Sequence, residues 1–165
     1  MVIWIIGKSG SGKSFYAKEL IKKIKNKNKI HIDGDDVRKI FFENKLSYDI
    51  KSRRQNAEFI VRLCKYLETK NFVVVCSILS IFKDIQKINR SYFNSYIQIY
   101  INSNISKLRK NNNKQVYSQK KNVVGVDIKF PIPYKSDLTF NNEFNNSYKK
   151  NVNKILMILK KKKIE

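Results

Sequence analysis

The chain has 165 residues, 42% of them hydrophobic and 12% aromatic, and its 35 lysines and arginines against 13 acidic residues give a formal net charge of +22. That length and apolar content fit one domain, read as residues 1–165, with a sizeable core, and exclude a disordered chain. No stretch approaches the ~20 apolar residues of a membrane span, and the charge excess, mostly lysine in an Asn- and Ile-rich chain, reads in part as codon bias, so nucleic acid is not the expected partner.

In chain order, Val2-Ile3-Trp4-Ile5-Ile6 is an apolar run suited to a buried strand. It is followed by Gly7-Lys8-Ser9-Gly10-Ser11-Gly12-Lys13-Ser14, which fits G-x-x-x-x-G-K-[ST], the P-loop pattern, and then by a helix expected over 13–26. Strand, loop and helix together are the context in which this pattern binds nucleoside triphosphate. Gly7, Ser9, Gly10, Ser11 and Gly12 would turn backbone N–H groups toward phosphate oxygens of ATP, and the helix N-terminus would add its positive dipole end. Lys13 would reach the β- and γ-phosphates and Ser14 would hold Mg²⁺. A leader sequence cleaved from this end would remove the loop, so a cytoplasmic location is expected.

A second strand, expected over 29–32, holds the single histidine, His31, which argues against a Ser-His-Asp triad or a His-rich metal site. After it comes Asp33-Gly34-Asp35-Asp36-Val37-Arg38. Two carboxylates at a strand end suit an acceptor site: one of Asp33 and Asp35 takes a proton from an attacking hydroxyl while the other serves the metal, and Arg38 binds an acidic group. The same residues also read as an Asx turn capping the next helix (35–43), with Asp35 or Asp36 as the cap. A long helix over 49–69 carries Arg53 and Asn56 on one face, able to grip an anionic group and a ribose hydroxyl.

Strands over 72–77, 96–101 and 137–140 alternate with helices over 81–90, 103–109 and 143–161, which predicts an α/β fold with a parallel sheet covered on both faces and ligands at the strands' carboxyl ends. Cys64 and Cys76 read as reduced, buried thiols. The polar segment 110–133, with Pro131 and Pro133, reads as a lid.

Taken jointly, these motifs resemble the adenylylsulfate kinase family of P-loop kinases, from about Val2 to Phe140. Gly7 to Ser14 resembles its G-x-S-G-S-G-K-S loop, Asp33 to Arg38 its D-G-D-x-x-R box, and Arg53 and Asn56 its D-R-x-x-N segment, with Ser52 in place of the leading Asp. Lys114-Gln115-Val116-Tyr117 resembles its K-G-L-Y, and Val123-Val124-Gly125-Val126-Asp127 its F-T-G-I-D. The resemblance implies ATP and Mg²⁺, with Ser14 and Asp35 on the metal, Lys13, Asp33 and Asp35 catalytic, and Arg109 near the ATP base. It implies an acceptor site of Asp33, Arg38, Tyr48, Arg53, Asn56, Lys114 and Val123, and leaves a homodimer open, since no stretch marks an interface.

The acceptor half departs from the family. Two aromatics sandwich the acceptor's adenine there; Tyr48 resembles the first, whereas Val123 stands where the second is Phe. Losing one stacking face removes roughly 1–3 kcal/mol, about ten- to a hundredfold in affinity. Ile78-Leu79-Ser80 lacks the proline of the family's I-S-P, and Glu58-Phe59 replaces a basic pair. The expected reaction is transfer of the γ-phosphoryl group to the ribose 3′-hydroxyl of a nucleoside 5′-anhydride. The changed pocket points to a pyrimidine acceptor such as cytidine diphosphoramidate, as in the similar kinase of capsular phosphoramidate synthesis. Adenylylsulfate itself, in sulfate assimilation, is the alternative. A polynucleotide kinase or basic nucleic-acid-binding protein is the reading from another class.

Overall fold

The first strand, β1 (Val2–Ile6), is buried at every position, as an apolar run with no alternation requires of a strand covered on both faces. The computed structural model describes residues 1–43, 45–110, 116–118, 121–145 and 147–161. After β1 come α1 (Lys13–Lys23), β2 (Lys29–Asp33), α2 (Gly34–Phe41), α3 (Ile50–Thr69), β3 (Val73–Ile78), α4 (Lys83–Tyr92), β4 (Tyr96–Asn102), α5 (Ile105–Lys110), β5 (Leu138–Asn141) and α6 (Tyr148–Lys161). The five strands form one parallel sheet in the order β2-β3-β1-β4-β5.

Strand periodicity divides the apolar side chains between two cores. Ile3, Ile5, Val73, Val75, Ile97 and Ile99 face α1 and α6, meeting Tyr16, Leu20, Ile155 and Leu159. Trp4, Val74 and Cys76 face the other way, against Val37 of α2, Ile60 and Cys64 of α3 and Ile85 of α4. Both cysteines are free and buried. Among the described residues no helix is long and apolar enough to cross a membrane.

The expected helices shift at one or both ends, and in three of them the structure shows why. Helix α1 stops at Lys23 rather than 26, because Ile24 turns to extended backbone and Lys29 Nζ bonds its carbonyl. Helix α2 is capped by Asp33, not by Asp35 or Asp36: Asp33 keeps β-region dihedrals and its side chain accepts from Asp35 N. The last helix begins at Tyr148 rather than 143. Asn142 instead folds its side chain onto the Phe144 amide and the Ser11 carbonyl, holding this turn against the glycine-rich loop. In the segment read as a lid, the described residues form a short 3₁₀ turn (Val116–Ser118) and a single bridge between Val124 and Ile128, over a small cluster of Leu108, Tyr117 and Val123.

Candidate active site

The loop after β1 owes its path to glycines. Gly10 and Gly12 have φ of 71° and 93°, and a Cβ on Gly12 would lie 2.8 Å from Asn142 Nδ2. A Cβ on Gly7 would meet Ser11 Oγ at 2.4 Å and Ile101 O at 2.6 Å. Gly12 caps α1 without a side-chain hydrogen bond, so the helix's first N–H groups open toward the loop. Lys13 Nζ donates to Lys8 O at 2.8 Å, laying the ammonium across the same loop. Ser11 is fully buried beneath it and its N–H donates to Lys8 O.

Opposite the loop, Asp33 ends β2. Its Oδ2 accepts from Ser14 Oγ at 2.5 Å and from Ser77 Oγ at 2.8 Å, and its Oδ1 accepts from Asp35 N at 3.0 Å. Burial alone would raise this carboxyl's pKa, but the three hydrogen bonds outweigh it and hold the group below the ordinary carboxylate range. Of the two residues expected on the metal, Ser14 is joined to Asp33, and Asp35 is exposed in the lining of the same cleft. The donor set of a hydroxyl and carboxylates is all oxygen, which fits magnesium, and the positive-φ cradle at a helix N-terminus fits a polyphosphate.

The far wall is cationic and aromatic. Arg38 is buried; its Nη1 donates to Leu46 O at 3.1 Å and Ser47 O at 2.6 Å, and its guanidinium lies 4.7 Å from the centre of the Tyr48 ring. Arg53 sits 5.4 Å from the same ring, donating from Nε to Tyr48 O and from Nη2 to Asn122 O at 2.8 Å. Burial, and then the charge of Arg38, push the Arg53 pKa down, so this corner favours an anion between the two guanidiniums. Asn56 is buried with Nδ2 on Gly34 O, and its Oδ1, with no partner among the described residues, can accept from a ligand.

Residues 117 and 122–127 complete the wall. Asp127 accepts at 2.6 Å from both Asn122 N and Val123 N, Gly125 takes φ of 95°, and Val123 is 2% exposed. Tyr117 OH donates to Ser9 O at 2.7 Å; burial raises its pKa to about 12, so it stays a neutral donor.

One cleft of about 650 Å³ joins these parts. Its lining includes Ser9, Gly10, Gly12, Lys13, Ser14, Asp33 and Asp35 together with Arg38, Tyr48, Arg53, Asn56 and Val123, and Asn56 Nδ2, bonded to Gly34 O, ties the last group to the Asp33–Asp35 turn. A neighbouring cleft of about 540 Å³ is walled by Phe15, Tyr16, Phe144 and Tyr148. Gly7 and Ser11 lie beneath the loop rather than in the cleft wall, and Arg109 is exposed on α5, outside both clefts. Lys114 lies outside the described residues. The residue that motif reading passed over is Ser77: its signal was a lone hydroxyl near the end of an apolar strand, decipherable only once β3 is registered with Asp33 opposite Ser77.

A family model described as adenylylsulphate kinase matches residues 1–141. The chain is 33% identical over 167 residues to a cytidine diphosphoramidate kinase of Campylobacter jejuni, covering 97% of this chain and 95% of that one. It is 26% identical over 167 residues to an adenylyl-sulfate kinase of Clostridium kluyveri, covering 96% and 83% of the two chains. In fold, it is similar to a Mycobacterium tuberculosis APS kinase solved with AMPPNP and APS, with a TM-score of 0.86 at 18% identity and 96% of each chain covered. It is also similar to the shikimate kinase of Aquifex aeolicus, with a TM-score of 0.64 at 16% identity and 99% of each chain covered.

Proposed function

Because this chain belongs to the adenylylsulfate kinase family, a family of phosphotransferases, we propose that it moves the γ-phosphoryl group of ATP to the ribose 3′-hydroxyl of a nucleoside 5′-anhydride, with cytidine diphosphoramidate as the acceptor. The observation that carries this is one cleft whose lining joins the phosphate loop, Asp33 and Asp35 to Arg38, Tyr48, Arg53 and Asn56. Such a cleft brings a triphosphate and a second anionic nucleotide face to face.

The loop amides and Lys13 bind the donor's phosphates, with charge stabilisation at the oxygens where it grows. Ser14, fixed by Asp33, is the residue that would hold magnesium. Magnesium, when bound, neutralises charge on the β- and γ-phosphates. Asp33 already accepts three hydrogen bonds, which makes it an orienting group and a poor base. Asp35 stands at the rim, in the cleft, as the group that orients the sugar hydroxyl and takes its proton. Arg38 and Arg53 hold the acceptor's 5′-anhydride, Asn56 Oδ1 takes a hydrogen bond from a ribose hydroxyl, and Tyr48 stacks on the base. The donor base belongs in the aromatic cleft beside Phe15 and Tyr148, and the reaction belongs in the cytoplasm, where ATP is made.

Two points support the cytidine acceptor. Val123 gives a small aliphatic wall where adenine stacking calls for a ring, and the Campylobacter jejuni relative, the more similar of the two reported, carries that activity in its name. The chemistry would then serve phosphoramidate attachment in capsule building. Steady-state turnover on cytidine diphosphoramidate and on adenosine 5′-phosphosulfate, each with MgATP, tests the choice. The proposal expects a higher kcat/KM on the cytidine compound; preference for the adenosine compound rejects it.

A further inference from the structure

The carboxylate that meets the phosphate loop is itself held from behind. Ser77 Oγ lies 2.8 Å from Asp33 Oδ2, and His31 Nε2 lies 2.8 Å from Ser77 Oγ. The sheet builds this row. His31 and Asp33 are two apart on β2 and so share a face, and Ser77 on β3 is the register partner of Asp33. That face is the one α1 covers, so the row points at the first turn of α1, where Ser14 Oγ meets Asp33. Ser77 is 2% exposed, and the side chains of His31 and Asp33 are 16% and 15% exposed.

The direction of the row follows from counting protons. The Ser77 hydroxyl has one hydrogen, and the Asp33 carboxylate can only accept it. The hydrogen between His31 and Ser77 must therefore come from His31, which makes its Nε2 the protonated nitrogen. Each member then fixes the next: His31 Nε2–H sets the Ser77 oxygen, Ser77 O–H sets Asp33 Oδ2, and the Asp35 amide sets Oδ1. A carboxylate pinned at both oxygens cannot turn about its terminal torsion, a rotation that is otherwise soft.

We propose that His31 and Ser77 form a positioning relay that holds Asp33 in the rotamer that fixes the Ser14 hydroxyl for a magnesium nucleotide. The inference rests on reading the cleft as a phosphotransferase site, because that reading gives Asp33 its task. His31 lies outside the cleft lining and Ser77, at its floor, is 2% exposed, and both act through Asp33.

The test uses the full chain. With a single histidine in the sequence, its ring nitrogens are identified in two-dimensional ¹⁵N–¹H spectra without further assignment. The expected neutral ring carries its proton on Nε2, and Ser77→Ala shifts that signal. Binding of a fluorescent ATP analogue is then titrated with magnesium. Ser77→Ala and His31→Leu should each weaken the magnesium-dependent part about three- to tenfold, the usual worth of one hydrogen bond, whereas His31→Gln, whose amide N–H reaches the same hydroxyl, should stay within about twofold. Under saturating nucleotides kcat should follow the same order with the acceptor KM unchanged, and the double variant should be no worse than Ser77→Ala alone. A ring protonated on Nδ1, equal loss in His31→Gln and His31→Leu, or a Ser77→Ala protein that binds magnesium nucleotide like the wild type overturns the relay. Should His31→Leu fail to fold, the tautomer and Ser77→Ala decide. If no nucleoside anhydride is phosphorylated, the functional reading falls, while the tautomer and the magnesium titration still decide the relay.

Discussion

Lys13 and Asp33 differ from the core residues around them in that their removal should leave the fold intact. Lys13 opens α1 at the cleft and Asp33 ends β2 and caps α2, and neither belongs to a packed apolar cluster. Lys13→Ala and Asp33→Ala are expected to lower kcat by on the order of a hundredfold, as loss of a preorganised charge contact does. The melting temperature, read by circular dichroism, should shift only a few degrees. Near-normal kcat with saturating acceptor in either variant would remove that residue from the chemistry. Val123 makes the complementary case. Val123→Phe should restore a stacking face worth roughly 1–3 kcal/mol to a purine acceptor, shifting the ratio of kcat/KM toward adenosine 5′-phosphosulfate by about tenfold or more. Part of that gain is offset by crowding Leu108 and Tyr117, which pack with Val123. An unchanged ratio would mean that the acceptor base does not lie against Val123.

The turn at 122–127 works as a unit because one carboxylate organises it. Asp127 bonds the amides of Asn122 and Val123, and this sets the Asn122 carbonyl in reach of Arg53. Asp127→Ala should free both amides and loosen the Arg53 clip, raising the acceptor KM about three- to thirtyfold, the equivalent of roughly two hydrogen bonds. The ATP KM should hold, since the loop and α1 are untouched; a parallel rise in both constants would contradict a role confined to the acceptor side. Element by element, the strands at 2–6 and 72–77 were legible as continuous apolar runs, because a strand covered on both faces needs Val and Ile throughout, whereas β2, β4 and β5 mix polar with apolar residues and were read from the alternation of strands with helices. Helix ends were less legible because tertiary contacts decide them. Asn142 turns back to the glycine-rich loop, delaying α6 to Tyr148, and Asp33 takes the cap that composition offered equally to Asp35 and Asp36. The cleft residues on the loop and the D-G-D box were legible as local patterns. Ser77 was not, because its meaning depends on strand register, which no local pattern encodes.

Across the whole molecule, two electrostatic features set its solution behaviour. The first is Glu68, buried on α3. Burial would raise its pKa, but amides of Asn94 and Ser95 and the Lys65 ammonium hold it below the ordinary value. A group with a lowered folded pKa contributes stability that is present above the unfolded pKa, near 4.5, and is lost as pH falls through the folded value. The melting temperature should therefore fall as pH drops from about 5 toward 3. Glu68→Gln should start lower at neutral pH and lose less over that range; an equal fall in both proteins would mean that other carboxylates govern acid unfolding. The second is the net charge of +22. It attracts nucleotides to the cleft at a rate that declines as salt shortens the screening length.

The position of the new phosphate tests the proposed reaction most directly. Incubation of the protein with MgATP and cytidine diphosphoramidate, followed by ³¹P and ¹H NMR of the product, should show ADP and a phosphomonoester coupled to the ribose H3′, with no product when magnesium is chelated. Phosphate appearing on another atom, or no transfer to either this acceptor or adenosine 5′-phosphosulfate, would contradict the assignment of the cleft.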